Sequence, residues 1–155
     1  VPLFDTSKVT NMRRMFVYCQ SLQRIPQLDT SNVGDMDGMF ESCSNLQAIP
    51  ALDARKLFME SYQGLFGSSD LPKLTDFGGL LNLKSSMTSN YSFKRLPNLT
   101  YQSCINILNG LYDFSGNGET PNSYQGKLKV HQNFLDKVGD EISIGTNKGW
   151  SISAG

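Results

Sequence analysis

The sequence lacks any charge imbalance. Its 155 residues carry 14 Lys plus Arg against 14 Asp plus Glu, a formal net charge of zero, and no long run of one sign occurs. Nucleic-acid binders and proteins that lie on anionic membranes carry a basic patch or stripe, so neither partner is expected here. Long apolar runs are absent as well. No stretch approaches the roughly 18 residues of a membrane span, so no membrane insertion is expected. The opening "VPLFDTSKV" lacks the basic, apolar and small-residue regions of a signal peptide. Histidine and cysteine are scarce: one His, His131, and three Cys, Cys19, Cys43 and Cys104, with no C-x-x-C pair. That set suits neither a structural zinc site nor a disulfide framework, and no metal or other cofactor is expected. The length fits one domain of common size.

What the sequence has is repetition. "PLFDTSKVTNMRRMFVYCQSLQRI", residues 2–25, is followed without a gap by "PQLDTSNVGDMDGMFESCSNLQAI", residues 26–49. The two agree at Pro2/Pro26, Asp5/Asp29, Thr6/Thr30, Ser7/Ser31, Val9/Val33, Met12/Met36, Met15/Met39, Phe16/Phe40, Cys19/Cys43, Leu22/Leu46, Gln23/Gln47 and Ile25/Ile49. A fixed period of roughly 20–29 residues marks a leucine-rich-repeat solenoid, in which each unit buries its apolar side only against its neighbours.

Within a unit the apolar positions form two groups. Val33, Met36, Met39 and Phe40 fall at helical or 3₁₀ spacing, whereas Leu46 and Ile49 lie in a short extended stretch ended by Pro50. Asp29-Thr30-Ser31 stands where N-capping side chains do. Each turn is therefore expected to hold a cap, a short helix on the convex side, a turn through Ser42-Cys43-Ser44 and a short parallel strand. A third, degenerate unit runs over residues 50–71, with Leu65-Phe66 in the Met-Phe place and a strand side four residues shorter; a fourth runs over 72–96. The repeats thus occupy residues 1–96.

From Pro97 the pattern breaks. Thr100 is a plausible N-cap for a helix with Cys104, Ile107, Leu108 and Leu111 on one face, and the loop "SGNGETPNSYQG" follows. "GKLKVHQ" alternates as a strand with Leu128 and Val130 on one face. "DKVGDEISIGTNKGW" reads as a helix stopped by Gly149, with Trp150 and Ile152 in a closing strand. Residues 97–155 are read as an α/β capping subdomain over the last turn. Val1-Pro2 occupies the place of Ile25-Pro26 and Ile49-Pro50, so further repeats upstream in a longer protein are expected.

"DTSKVTNMRRMFVYCQSLQRIP" and "DTSNVGDMDGMFESCSNLQAIP" resemble the BspA-like leucine-rich-repeat surface proteins, in the branch whose unit reads "LDTSNVTNMSxMFxxCSSLxxIP". "LPNLTYQSCINILNGLYDF" and "SIGTNKGWSIS" are similar to the unit that closes many such arrays. The chain departs from the pattern in its short third unit and in Gly34-Asp35, where the pattern has Thr-Asn. Proteins of this kind include bacterial cell-surface adhesins, protist surface proteins and phage tail or fibre proteins. The resemblance implies binding to a protein or glycan on another surface, outside the cell or on a virion, and it brings no catalytic residues.

The candidate chemistry has competing readings. Asp5, Asp29 and Asp53 recur each turn and would form a carboxylate ladder; calcium sites bring several oxygen ligands per turn, so N-capping is the preferred role. Cys19 and Cys43 occupy equivalent places and could approach disulfide range, but are read as buried free thiols, as is Cys104. Met12, Met15, Met36 and Met39, with Phe16 and Phe40, read as core rather than as an adaptable binding surface. His131, near Lys129 and Asp136, has no nucleophile context, and "SGNG" is a turn without the Lys-Ser/Thr of a phosphate loop. Asn90-Tyr91-Ser92 and Asn98-Leu99-Thr100 are glycosylation sequons. Gln23, Arg24, Gln47 and Ala48 lie between inward-facing strand positions and form the candidate ligand-binding set. The expected function is a non-enzymatic adhesion module; the alternative is a structural terminal fragment of a phage tail fibre or virion protein that assembles with itself or with a baseplate partner.

Overall fold

The computed structural model describes residues 4–57, 64–84, 93–121 and 126–155. These residues mix helices with short parallel strands, and no closed barrel is found among them. The strands are β1 (Ala48–Ile49), β2 (Leu52–Asp53), β3 (Asp76–Phe77), β4 (Leu80–Leu81), β5 (Lys127–Val130) and β6 (Ser151–Ala154). The helices are α1 (Tyr101–Gly110), α2 (Gln132–Val138) and α3 (Ser143–Thr146), with 3₁₀ turns at Phe93–Arg95 and Gly139–Ile142. The sequon at Asn90-Tyr91-Ser92 and the boundary pair Val1-Pro2 lie outside the described residues.

The Met-Phe segments are runs of turns, not the short helices expected from their spacing. Met15, Val17 and Cys19 donate their N–H groups three residues back, to Met12, Arg14 and Phe16. The alternate N–H groups go sideways: Met12 to Asp35 O (2.8 Å), Arg14 to Asp37 O (2.9 Å), Phe16 to Met39 O (3.0 Å) and Tyr18 to Glu41 O (2.9 Å). The second unit treats the third likewise, Gly38 donating to Gly64 O and Phe40 to Leu65 O. An α-helix needs every N–H for its own i−4 carbonyl, and here half of them serve the neighbouring unit. The backbone allows this by entering the left-handed region at Arg14 (φ 55°), Tyr18 (φ 60°), Gly38 (φ 62°) and Ser42 (φ 61°).

On the opposite side the direction of donation reverses. Gln47 N donates to Gln23 O at 2.8 Å, and Arg24 bridges Ala48 in parallel. β1 then pairs with β3 and β2 with β4, both parallel, with Ile49 opposite Phe77 and Leu52 opposite Leu80. Between these two sides the buried threonines cross-link the units. Thr6 Oγ1 accepts from Asp29 N at 2.8 Å; Thr30 Oγ1 accepts from Asp53 N at 2.7 Å and donates to Asp53 O at 3.1 Å. The third unit has Ala54 in that place, and there the backbone takes over, Ala54 N donating to Leu81 O at 2.7 Å.

The strand side of the third unit is longer than its sequence suggests. Ala48 and Ile49 lie beside Asp76 and Phe77, an offset of 28 residues like that of the Lys73–Asn45 hydrogen bond, whereas the Leu71-Pro72 edge falls before this strand. The spacing Leu71, Leu74, Phe77 copies Cys43, Leu46, Ile49, and all six are buried. One apolar core runs through the units: Phe16 stacks on Phe40 (5.7 Å, 7°), and Phe66, Phe77 and Phe93 meet within 5.9–6.1 Å.

α1 packs across β3 and β4. Thr100 caps it, accepting from Ser103 N, and the Lys148 ammonium donates to the carbonyls of Leu108, Asn109 and Leu111 at its other end. β5 and β6 pair in parallel, with Leu128 and Val130 buried as their alternation predicts. The single helix read from Asp136 to Gly149 is instead α2, a 3₁₀ turn and α3, and α2 begins earlier, with His131 as its N-cap. Gly139, at φ 50°, interrupts the helical geometry.

Thr30 tests the cross-link. Thr30→Val keeps the shape but leaves the partly buried Asp53 N–H without its acceptor, and a loss of about 1–3 kcal/mol is expected in urea unfolding, with Thr30→Ser recovering most of it. An unchanged unfolding midpoint in Thr30→Val would show that the hydroxyl ladder contributes nothing.

Candidate functional site

The strand side gathers the residues singled out from the sequence. Gln23 and Arg24 are exposed, Gln47 and Ala48 half-buried, and Thr75 and Asp76 continue the rows as exposed residues. Backbone bonds fix these rungs: Gln47 N to Gln23 O, then Thr75 N and Asp76 N to Gln47 O, each at 3.1 Å. Neighbouring strands lie ~4.8 Å apart, so Gln23, Gln47 and Thr75 form one row and Arg24, Ala48 and Asp76 the next. The second row borders a groove of about 260 Å³ that also meets Pro50 and Gly78. Arg24 and Ala48 line this groove directly, while Gln23 and Gln47 stand one residue back along their rungs.

The sequence reading missed Asp76 and Gly78. Their place was hidden by the assumed early end of the third unit, although the Leu71, Leu74, Phe77 spacing carried the signal. Gly78 is constrained by its neighbour: a Cβ there would overlap the backbone of Ala51. The groove therefore has a small-residue floor of Ala48 and Gly78, with a guanidinium at one rim and a carboxylate at the other.

The carboxylate row is real but turned inward on its own loops. Asp5 Oδ1 accepts from the Ser7 hydroxyl (2.7 Å) and N–H (3.1 Å), and Asp29 Oδ1 from those of Ser31 (2.6 and 3.0 Å), which holds both carboxyls below the usual range. At Asp53 burial pushes the carboxyl up, but hydrogen bonds from the Arg55 guanidinium (2.7 Å) and N–H (3.0 Å) outweigh it and the net shift is downward. Asn11 and Asp35 form the same kind of turn with Arg13 N and Asp37 N, so Asp35 replaces Asn11 without loss of the bond. Among the described residues no three His, Cys, Asp or Glu side chains gather as a metal-binding group.

All three cysteines are free thiols, but they differ in environment. Cys43 is buried, its Sγ donating to Phe16 O at 3.1 Å. Burial, with Cys19 nearby, pushes its thiol up to about 11. Burial likewise pushes Cys104 up to about 11. Cys19 and Met15, expected in the core, are exposed instead. They lie on the side of the first unit against which no described unit packs, whereas Met39 and Cys43 are covered by the first unit.

His131 is occupied structurally: its Nδ1 accepts from Asn133 N at 3.1 Å. A second polar hollow, about 400 Å³, is lined by Arg55, Asn82, Lys84 and Tyr112. There Lys84 Nζ sits 3.7 Å from the Tyr112 ring centroid, and Glu119 holds both partners, Tyr112 Oη donating to it at 2.7 Å and Lys84 Nζ lying 3.3 Å away. No helix among the described residues is long and apolar enough to cross a membrane.

The thiols give a pH test. Cys43 and Cys104 ionise near 9 when exposed and near 11 in the fold, so the unfolded chain loses protons first as pH rises. Their contribution is complete below about pH 9 and is lost towards pH 11. Urea midpoints of the native chain should fall more steeply over that window than those of the Cys43→Ala/Cys104→Ala variant; parallel curves would contradict the assignment.

The chain has no match among curated proteins or solved structures. Residues 1–69, which contain the paired turns and the threonine cross-links, match the family described as "Mycoplasma protein of unknown function, DUF285", the family of BspA-like repeats.

Proposed function

We propose that this chain is a non-enzymatic binding module of a bacterial or phage surface protein. In this reading residues 1–96 form a right-handed leucine-rich-repeat solenoid and residues 97–155 its α/β cap. The partner is a protein or glycan on another surface, met outside the cell or on a virion. The observation that carries the reading is the strand-side array: Gln23, Gln47 and Thr75 in one row and Arg24, Ala48 and Asp76 in the next, bordering one groove.

Main-chain bonds hold this array, so its side chains are not needed to keep the units together. Such a surface tolerates change in what it presents while the core stays constant. The first two units show this pattern: they share their core residues but differ at Arg24/Ala48. Balanced charge in the chain suits recognition by shape and hydrogen bonding rather than by long-range attraction.

The test is binding of the chain to a glycan array and to intact bacterial cells, before and after combined Gln23→Ala, Arg24→Ala and Gln47→Ala. Binding should weaken about tenfold or more with the fold intact. Full binding by the triple variant would remove the strand side as the recognition surface.

A further inference from the structure

Four of the five arginines lie within 4.0 Å of a carboxylate: Arg13 beside Asp37, Arg14 beside Glu41, Arg55 beside Asp53 and Arg95 beside Asp70. Arg24 is the fifth, and among the described residues its guanidinium has no carboxylate partner. Asp76 likewise makes no side-chain hydrogen bond or ion pair among the described residues. Both line the strand-side groove.

The two charges stand in one row. Arg24 bridges Ala48 and Ala48 pairs with Asp76, both in parallel, so cation and anion are two rungs apart with a methyl group between them. Twice the spacing of neighbouring strands is about 9.6 Å. The floor between them is low. Gly78 has no side chain and admits none, because a Cβ would overlap the Ala51 backbone, and Ile25 and Ile49 are already buried in the core. A ligand in this groove of about 260 Å³ therefore meets two opposite charges at a fixed separation and little else.

Opposite charges at the rims select a ligand with opposite charges of its own. An acidic sugar would satisfy Arg24 but bring a second negative charge towards Asp76. A polypeptide segment with one acidic and one basic side chain satisfies both. The separation then selects its conformation. Same-face residues of an extended strand, i and i+2, are about 6.7 Å apart. Those of polyproline II, i and i+3, are about 9.3 Å apart, close to the two-rung distance. An α-helix docks through several apolar anchors, and a floor of Ala48 and Gly78 has no pocket for them.

We infer that the groove takes a segment of a partner protein in the polyproline II conformation, with an acidic side chain on Arg24 and a basic side chain three residues away on Asp76. The low floor lets the main chain of the segment lie close. No aromatic side chain is among the described residues that line the groove, so the charged ends rather than stacked proline rings hold the segment. This inference rests on the strand-side reading and names its class of partner.

The probes are proline-rich nonapeptides with Glu-Pro-Pro-Lys, Glu-Pro-Lys, Glu-Pro-Pro-Glu or Lys-Pro-Pro-Lys at the centre, titrated into the chain and followed by the amide NMR shifts of Ala48 and Gly78. Glu-Pro-Pro-Lys should bind about fivefold tighter than the other three. Arg24→Glu should turn the preference to Lys-Pro-Pro-Lys, and Asp76→Lys to Glu-Pro-Pro-Glu, with urea midpoints unchanged. Equal affinity for the four peptides, or an unchanged preference in both reversals, overturns the inference. The two readings fail differently. Full cell binding by the Gln23, Arg24 and Gln47 triple variant removes the strand side altogether. Loss of cell binding in that variant, with wild-type chain preferring a hexuronic-acid oligosaccharide to all four peptides, overturns the charged segment alone.

Discussion

The structure depends on the sideways hydrogen bond. A unit of this repeat is too short to contain a sheet, and its turns use only alternate N–H groups internally. The remaining donors and acceptors sit among buried Met, Phe and Leu side chains, where an unmet amide costs about 1–3 kcal/mol. Between the first and second units, and between the second and third, it is the adjacent unit that satisfies them. Apolar burial and backbone pairing are therefore met by the same act, the laying of one unit on the next, and neither is available to a unit alone. The threonine cross-links extend this logic to side chains. Thr6 and Thr30 are buried hydroxyls that would be a liability in an isolated loop and become bonds between units when a neighbour is present.

That dependence explains which features were legible in the sequence. Recurring apolar positions report directly on burial, and Met12, Met36, Met39, Phe16, Phe40, Leu46 and Ile49 are all core. The recurring Asp, expected to cap a short helix, instead closes a local turn: Asp5, Asp29 and Asp53 each accept a backbone N–H two residues on. Helical spacing was misleading in the same segments, because periodicity counts side chains and says nothing of where the N–H groups go. Arg14 and Tyr18 at positive φ could not be foreseen from residue types that disfavour it. Met15 and Cys19 carry the same letters as Met39 and Cys43; their exposure depends on what lies beside the unit, which the pattern within a unit does not encode.

The candidate strand side was partly legible for a related reason. Gln23, Arg24, Gln47 and Ala48 follow from the alternation of inward and outward positions in exact repeats. Asp76 and Gly78 required the length of an irregular unit, and an insertion leaves periodic reading without a register until pairing is seen. The structure resolves this through Ile49 lying opposite Phe77. The irregular unit thereby adds a carboxylate beyond Ala48, opposite in sign to Arg24, and makes the groove dipolar where two regular units would not have done so.

At the later end of the stack α1 lies against β3 and uses side chains where another unit would use backbone: Ser103 Oγ accepts from Phe77 N at 2.8 Å and donates to Thr75 O, and Asn106 Nδ2 donates to Phe77 O at 3.2 Å. Leu83 and Leu111 bridge in parallel just beyond the helix, so the chain leaves α1 along the same direction as the strands. A strand edge met in this way presents no free template for another chain. Gly110 and Gly79 allow the close approach, since a Cβ at either would overlap the facing backbone of Leu80 or Asn106. The paired units are bonded in one direction, N–H groups of each Met-Phe segment running to the next and strand-side N–H groups of Gln47 and Thr75 running back, and α1 meets the edge of β3 with side chains in place of that backbone.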